Sequence, residues 1–418
     1  MSAVFHGRAE QEETTWMIAG NGTRHNRWRS ENGNLDRPVT GLVPRAPSDE
    51  TGRMSELAAS MSGNASASPA LGKIVPEAFE RLIAPHLGAT RSEVLVGPGL
   101  GRDGAIVKVG AGRVIAVTTD PLSLVPALGP EASARLSCHL LASDAWTTGI
   151  PPAYAACSFH LLPDFPESTF AAYMRAMHLE WEKLGVAVVA GHTGRYEGCA
   201  LTIIGAGAVI GVGDEGRYVS PAFVQPGDRI LVTKGCAIEA TAVAAHLFPN
   251  RLLATLDETG LERARALLSQ VSVVEDCRAL VHVGVRDHGV SCMHDATEGG
   301  VLGGLIELAR GAAKELRVEK ARIPITPEAI AACEVFAIDP YWALSEGTLI
   351  ATVRPQRASE AMASLEAAGI AVAMVGEVVG QGGKLWLTEA DGSVRALDAP
   401  ERDPYWAAYE RAVREGWN

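Results

Sequence analysis

The chain has 418 residues, 47% of them hydrophobic and 21% charged, enough to bury more than one core. Its formal net charge of -12 argues against nonspecific binding to nucleic acid or to an anionic membrane, but not against a nucleotide whose phosphates a metal ion bridges. The cysteines (138, 157, 199, 236, 277, 292 and 333) are scattered without a CxxC, which predicts reduced thiols in a cytoplasmic protein and no zinc site. No apolar run is long enough to span a bilayer, and Glu10, Glu12 and Glu13 do not suit a secretory signal.

Residues 1–70 are rich in Gly, Ser, Asn, Arg and Glu without periodicity, and read as a disordered tail ending in the linker-like SMSGNASASPA. Ordered structure is expected from Leu71. Residues 76–86 have apolar positions at Phe79, Leu82 and Ile83, the spacing of one helical face. The stretch 94–124 carries two apolar runs, 105–109 and 114–117, around the turn signal Gly110-Ala111-Gly112-Arg113. Residues 132–148 and 167–184 read as helices, 154–162 as a strand, and 186–190 as a short buried strand entering the loop Gly191-His192-Thr193-Gly194. Residues 200–210 read as another strand, and the Gly/Pro-rich segment 211–226 as a domain boundary. Beyond it, strands are expected at 228–233, 349–353 and 372–379. Helices are expected at 239–248, 258–270, 301–313, 358–368 and 404–416. Strands and helices mix without strict βαβ alternation, which predicts two α+β domains, 71–215 and 216–400, followed by a C-terminal helix over 401–418.

A hairpin centred on Gly110–Arg113 would set Asp103 opposite Asp120. Facing carboxylates repel unless something neutralises them, and a hard divalent cation would do so. The other reading makes both residues turn formers flanking their strands. Asp144, near a helix C-terminus, is unfavourable to the helix dipole; alone it reads as a solvated acid. Gly191–Gly194 follows a strand, a usual place for a ligand loop, where His192 is either a metal or phosphate ligand or a backbone-bonded loop residue. In His294-Asp295-Ala296-Thr297-Glu298-Gly299-Gly300, Asp295 or Thr297 could cap the next helix. Gly299 and Gly300 would leave N–H groups uncovered for a phosphate or carboxylate, unless this is a plain glycine-rich helix start. Glu346, in Ser345-Glu346-Gly347-Thr348, is a candidate carboxylate reaching across the domain interface.

Six segments resemble the AIR synthase (PurM) superfamily, and most of all its HypE-type hydrogenase maturation factors. VGPGLGRDGAIV resembles that family's loop with a paired acid, TTDPLSL its TTD segment, and SDAWTTGIPP its NDxAxxGxxP segment. GHT resembles the GGDT loop, HDATEGG resembles DPTRGG, and IDPYWALSEGTLIATV resembles LDPLYLANEGxLVAVV. The matches keep the family's order over about residues 71–380. The resemblance implies a PurM-like fold whose N-terminal sheet pairs with a second subunit's into a dimeric barrel, followed by a C-terminal α+β domain. It also implies ATP with Mg²⁺ at the dimer cleft. Asp103, Asp120 and Asp144 would be the metal and phosphate carboxylates. Gly101, Gly191, Thr193, Thr297, Gly299 and Gly300 would line the nucleotide, and Asp103, His192, Asp295 and Glu346 would serve the chemistry.

Some positions depart from that pattern. HypE carries its product on a C-terminal cysteine, whereas this sequence ends Glu415-Gly416-Trp417-Asn418, so self-thiocyanation is not expected. His192 replaces an Asp, Ser143 an Asn and Glu298 an Arg, and the family's HGxGG is not recognisable before Gly72-Lys73. The acidic Glu298 predicts an acceptor that is neutral or cationic at its reacting end. Two functional readings follow. One is an ATP-dependent homodimeric enzyme that activates an amide- or carboxylate-like oxygen of a small-molecule or protein acceptor by phosphoryl transfer. The other is a non-catalytic nucleotide-binding or assembly protein on the same fold.

Overall fold

In the computed structural model, Gly110, Ala111 and Gly112 take φ values of 94°, 50° and 71° and make the turn that their composition predicts. The structure describes residues 72–74, 76–400 and 404–417; the expected tail over 1–70 lies outside them. Six strands form the first sheet: β1 (Val94–Val96), β2 (Ala105–Gly110), β3 (Arg113–Ser123), β4 (Pro152–Leu161), β5 (Ala187–Arg195) and β6 (Ile203–Asp214), in the order β1-β2-β3-β6-β4-β5. Only β4 and β5 run parallel in it. The register pairs Ala105 with Val117 and Lys108 with Val114, one residue from the expected alignment, and shifts again before Gly110 meets Arg113. Asp103 therefore lies in the loop before β2 and not across the hairpin from Asp120.

The second sheet holds β7 (Arg229–Thr233), β8 (Val290–Ala296), β9 (Lys314–Glu319), β10 (Thr348–Val353), β11 (Val372–Gln381), β12 (Leu385–Thr388) and β13 (Val394–Leu397), in the order β13-β12-β9-β11-β7-β10-β8. It too is mixed, with β9 and β12 parallel. The helices are α1 (Pro76–Leu82), α2 (Gly129–Thr147), α3 (Glu167–Leu184), α4 (Ile238–Leu247), α5 (Pro249–Leu252), α6 (Glu258–Ala266), α7 (Val274–Val283), α8 (Gly300–Ala312), α9 (Pro327–Phe336), α10 (Ala358–Ala367) and α11 (Pro404–Arg414). The architecture is the α+β arrangement of two mixed sheets with helices packed on them.

One core joins the two sheets. Leu122 on β3 and Leu141 and Trp146 on α2 share a cluster with Leu231 on β7, Leu280 on α7 and Leu349 on β10. Below it, Asp228 is 1% exposed and accepts from Arg354 Nη1 at 2.7 Å through both carboxylate oxygens. Ser291 Oγ also donates to Asp228 Oδ2 at 2.7 Å, so the buried Asp228 carboxylate is engaged at both oxygens.

Two local expectations need correcting. The segment 186–190 is not a short buried strand: Val186 is buried, but β5 starts after it, runs on through Gly191–Gly194 and is exposed along nearly all its length, because it is the edge of the sheet in a single chain. Nor does the glycine-rich segment begin as a linker at 211: β6 continues to Asp214. Gly211 serves close packing there, because a Cβ would lie 2.6 Å from the Pro151 carbonyl oxygen and 2.9 Å from Ile150. Overpacking against backbone typically costs about 1–3 kcal/mol. Gly211→Ala should therefore lower unfolding stability by about that amount in urea titration. A variant as stable as the parent would mean that β6 is not packed as described.

Candidate functional site: a carboxylate cluster between the two sheets

His294 lies on β8, 2% exposed, and has a carboxylate at each ring nitrogen. Its Nδ1–H donates to Asp103 Oδ1 at 2.7 Å and its Nε2–H to Glu307 Oε2 at 3.1 Å, which requires both nitrogens to carry protons. Burial alone would lower its pKa, but the Asp103 charge and the bonds to Asp103 and Glu307 outweigh that and hold it well above the usual histidine range. Burial likewise pushes Asp103 up, and His294 and Lys73 overcome it, so Asp103 stays ionised.

The other acids behave in the opposite way. Burial is the main cause for each of them, and their neighbours' charges add to it. Asp120, on β3, is pushed up to about 6, with Asp103 and Glu298 adding to burial. Asp295, on β8, is pushed up to about 7, with Asp103 adding. Glu239, in the first turn of α4, rises to about 8 under Glu298 and Asp120. Asp144, on α2, and Glu346, just before β10, are held well above the carboxylate range by burial, Asp295 and Asp120. These groups come from both sheets and two helices, and their charges act on one another.

Among the described residues, no hydrogen-bond donor reaches the buried oxygens Asp103 Oδ2, Asp295 Oδ2 and Glu346 Oε1. An unpaired buried carboxylate oxygen is costly, and three in one place suit a cation. Among the described residues, the metal-ligand atoms that converge within 4.8 Å belong to Asp103, His294 and Asp295. Asp103, Asp120 and Asp144 share the cluster but not that spacing. Mg²⁺ commonly uses only one or two carboxylates and completes its shell with water and phosphate, so a wider acidic cluster also fits it. A hollow of ≈ 20 Å³ beside Asp103, lined by Gly101, Gly104, Thr147 and Met293 among others, has room for about one water-sized species.

Several residues singled out in the sequence serve differently. Gly101 has φ +63° and lies against the α8 backbone, where a Cβ would be 2.7 Å from the Glu307 carbonyl oxygen. Neither Asp295 nor Thr297 caps α8 with its side chain. Thr297 Oγ1 instead accepts from Lys73 Nζ at 2.8 Å. The Gly300 N–H donates to the Thr297 carbonyl at 3.1 Å, so it is not left uncovered. Gly300 is required because a Cβ would sit 2.6 Å from the Ala343 carbonyl oxygen and 2.7 Å from that of Tyr341. Gly299 is the left-handed N-cap of α8, with φ 78°.

Gly191, His192 and Thr193 do not join the cluster in a single chain. Asp120 pairs with Gly207, Gly207 with Cys157 and Cys157 with Gly191, which puts Gly191 three strand spacings, roughly 14 Å, from Asp120. His192 is exposed and bonds the Tyr196 hydroxyl through Nε2 at 2.6 Å. These residues line a separate open groove of ≈ 650 Å³ between α3 and β5, which includes no member of the cluster. The sequence reading missed His294, Glu307, Glu239 and Lys73. The adjacency of His294 to Asp295 was a signal for the first; nothing local marks the others.

Residues 101–212 match the family model for the AIR synthase related protein N-terminal domain, and residues 225–387 that for its C-terminal domain. The carbamoyl dehydratase HypE of Azotobacter vinelandii is 28% identical over 318 residues, covering 74% of this chain and 85% of the relative. A crystal structure of Escherichia coli HypE, a hydrogenase maturation protein, superposes with a TM-score of 0.60 and 25% identity, covering 69% of this chain and 87% of that one. A structure of HypE in complex with ATP superposes with a TM-score of 0.54 and 20% identity over 80% of this chain and 97% of that one. No described helix is long and apolar enough to cross a membrane. By both of its matched halves, the chain belongs to the AIR synthase-related protein family.

Proposed function

We propose that the carboxylate cluster binds ATP with Mg²⁺ and transfers the γ-phosphoryl group to an oxygen of an acceptor. The observation that carries this reading is the set of three buried, unpartnered oxygens on Asp103, Asp295 and Glu346 amid acids that raise one another's pKa. The complex of a relative with ATP supports the choice of ligand. Asp103, Asp120 and Asp144 would hold the metal and, through it, the phosphates. Mg²⁺ would supply neutralisation of the phosphate charge.

The chain's own residues do the remaining work. His294 fixes the Asp103 carboxylate in orientation and in its ionised form. Glu307 fixes the imidazole from the other side. Asp295 faces Glu346 and is pushed up to about 7, so in its ionised form it can take the proton that an acceptor hydroxyl, amide or acid releases as it is phosphorylated, while Glu346 keeps its own. In the transfer, the acceptor oxygen bonds to phosphorus as the bond from phosphorus to the ADP oxygen breaks. Gly191, His192 and Thr193 can take part only if a second copy of the chain brings its β5 to this cluster. The outward apolar residues Tyr154, Val188 and Val189, 43–59% exposed on β4 and β5, support such pairing.

Asp120→Asn should weaken Mg-ATP binding at least ten-fold, equivalent to about 1.4 kcal/mol, in titration calorimetry. Unchanged affinity would remove Asp120 from the site.

The raised acids also predict a pH dependence. Asp120, Asp295 and Glu239 retain protons in the fold at pH values where the unfolded chain has released them. Without a cation, stability should therefore fall as pH rises from about 4 through about 8. A bound cation replaces those protons, so Mg²⁺ should raise the melting temperature more near pH 8 than near pH 5.5. An equal or opposite pattern in differential scanning fluorimetry would show that the cluster is not the cation site.

Pairing of the first sheet with a second copy predicts a homodimer at micromolar concentration by sedimentation velocity. A monomer there would leave Gly191, His192 and Thr193 without a role.

A further inference from the structure

Glu298 adds negative charge to an already acidic site, yet its side chain is committed to the backbone of residue 73. The Lys73 N–H donates to Glu298 Oε2 at 2.6 Å, and Lys73 Nζ donates to Thr297 Oγ1 at 2.8 Å. Two adjacent residues of the turn before α8 thus hold both the backbone and the side chain of one lysine from the far end of the sequence. Gly72 makes the approach feasible. Its φ is +100°, and a Cβ would lie 2.6 Å from Trp406 Nε1 and closer still to Glu298 Oε2. The segment 72–73 passes between the turn and Trp406 of α11, where only glycine fits.

The lysine so placed acts on the whole cluster. Its charge lowers the pKa of Asp103, Asp120, Asp144, Asp295 and Glu307, which lie on four different elements and the loop before β2. Desolvation at its ammonium is outweighed in turn by the charges of Glu307, Asp295, Asp103 and Asp144, which hold Lys73 above its ordinary value. A polyphosphate entering the cluster would otherwise meet acids on several sides, including Glu298 and Glu239 next to Asp120.

We propose that Lys73 is the phosphate-facing cation of this site and that Glu298 is a positioning residue that delivers it. The inference rests on the nucleotide reading above and deepens it. Glu298 then favours an anionic ligand instead of repelling it, because it recruits a cation. Trp406 gives α11 a part in the site, as the opposite wall of the passage.

The test uses the full chain and Mg-ATP. Lys73→Met should weaken Mg-ATP binding at least ten-fold in calorimetry, and Lys73→Arg should recover most of the loss. Glu298→Ala should weaken binding to a similar degree and remove the hydrogen-exchange protection of the Lys73 amide. The double variant Lys73→Met/Glu298→Ala should bind no worse than Lys73→Met alone, because both changes act through the same ammonium. Wild-type binding with unchanged affinity in Lys73→Met overturns the inference and leaves the nucleotide reading intact. Additive losses in the double variant overturn the positioning role of Glu298. A wild-type chain that does not bind Mg-ATP overturns both readings together. Should Lys73→Met fold poorly, Lys73→Gln serves, with intact near-UV circular dichroism as the control.

Discussion

Helix α2 is the element on which the rest depends. A helix on a protein surface shows an apolar stripe and a polar face, whereas α2 is buried nearly all round. Ala134, Leu141, Ala142 and Ala145 are fully buried, and so is the polar Ser143. The first sheet covers one side and the second half of the chain covers the other. Its polar groups must then find partners within the protein. Ser143 Oγ accepts from the Val273 N–H at 3.0 Å, Ser137 Oγ accepts from the Tyr173 hydroxyl at 2.8 Å, and His139 lies between Ser272 at 2.7 Å and Glu180 at 2.9 Å. Several of these bonds join the two halves. The helix therefore sets how the halves meet, and Asp144 near its end faces the carboxylates of the second sheet because of that fit. Its position against the helix dipole is the cost of placing it there.

The cluster concentrates like charges in a buried space, and the fold tolerates this by treating its members unequally. Asp103 remains ionised because His294 is locked beside it as a cation, and Glu307 locks His294 in turn. Asp120, Asp144, Asp295 and Glu346 have no such dedicated partner and are pushed towards their neutral forms. The site thus has a permanently charged corner and a region whose protons can be exchanged for a cation. Groups with affinities between about 6 and 8 exchange protons for a metal at little net cost near neutrality, which a cluster of fully ionised acids could not do.

Much of the fold could be read from the sequence where pattern and chemistry agree. The helix over 167–184 ends at Gly185, whose φ of 72° is the left-handed cap that its glycine suggests. The hairpin turn is similar. The failures have a common cause: glycine is chosen both for turns and for close approach, and composition does not separate the two. Gly211 and Gly213 look like linker but lie in β6 against Ile150. Gly300 looks like a phosphate cradle but is needed to pass the carbonyls of Tyr341 and Ala343. The acids at 103, 120, 144, 295 and 346 were visible because each stands in a recognisable segment. Lys73, Glu239 and Glu307 were not, because their part in the site arises only when distant elements meet.

Glu298 shows why the charge of a motif is a poor guide to the charge of its site. Taken alone, an acid at a helix start seems to bar anions, and it led to the expectation of a neutral or cationic acceptor. In the fold its oxygen is occupied by the backbone of Lys73, and the lysine's ammonium stands one residue away on Thr297. The turn then holds a carboxylate bonded to a backbone amide beside an ammonium bonded to a hydroxyl, from residues more than two hundred positions apart, not a single negative charge. Glu298 still raises Asp120 and Glu239, so it strengthens the demand for a cation at those two acids. The same carboxylate therefore acts in two directions, recruiting a fixed cation through its hydrogen bond and favouring a diffusible one through its field. Both effects prepare the cluster for a polyanion that arrives with its metal, and neither requires the acceptor to be positively charged.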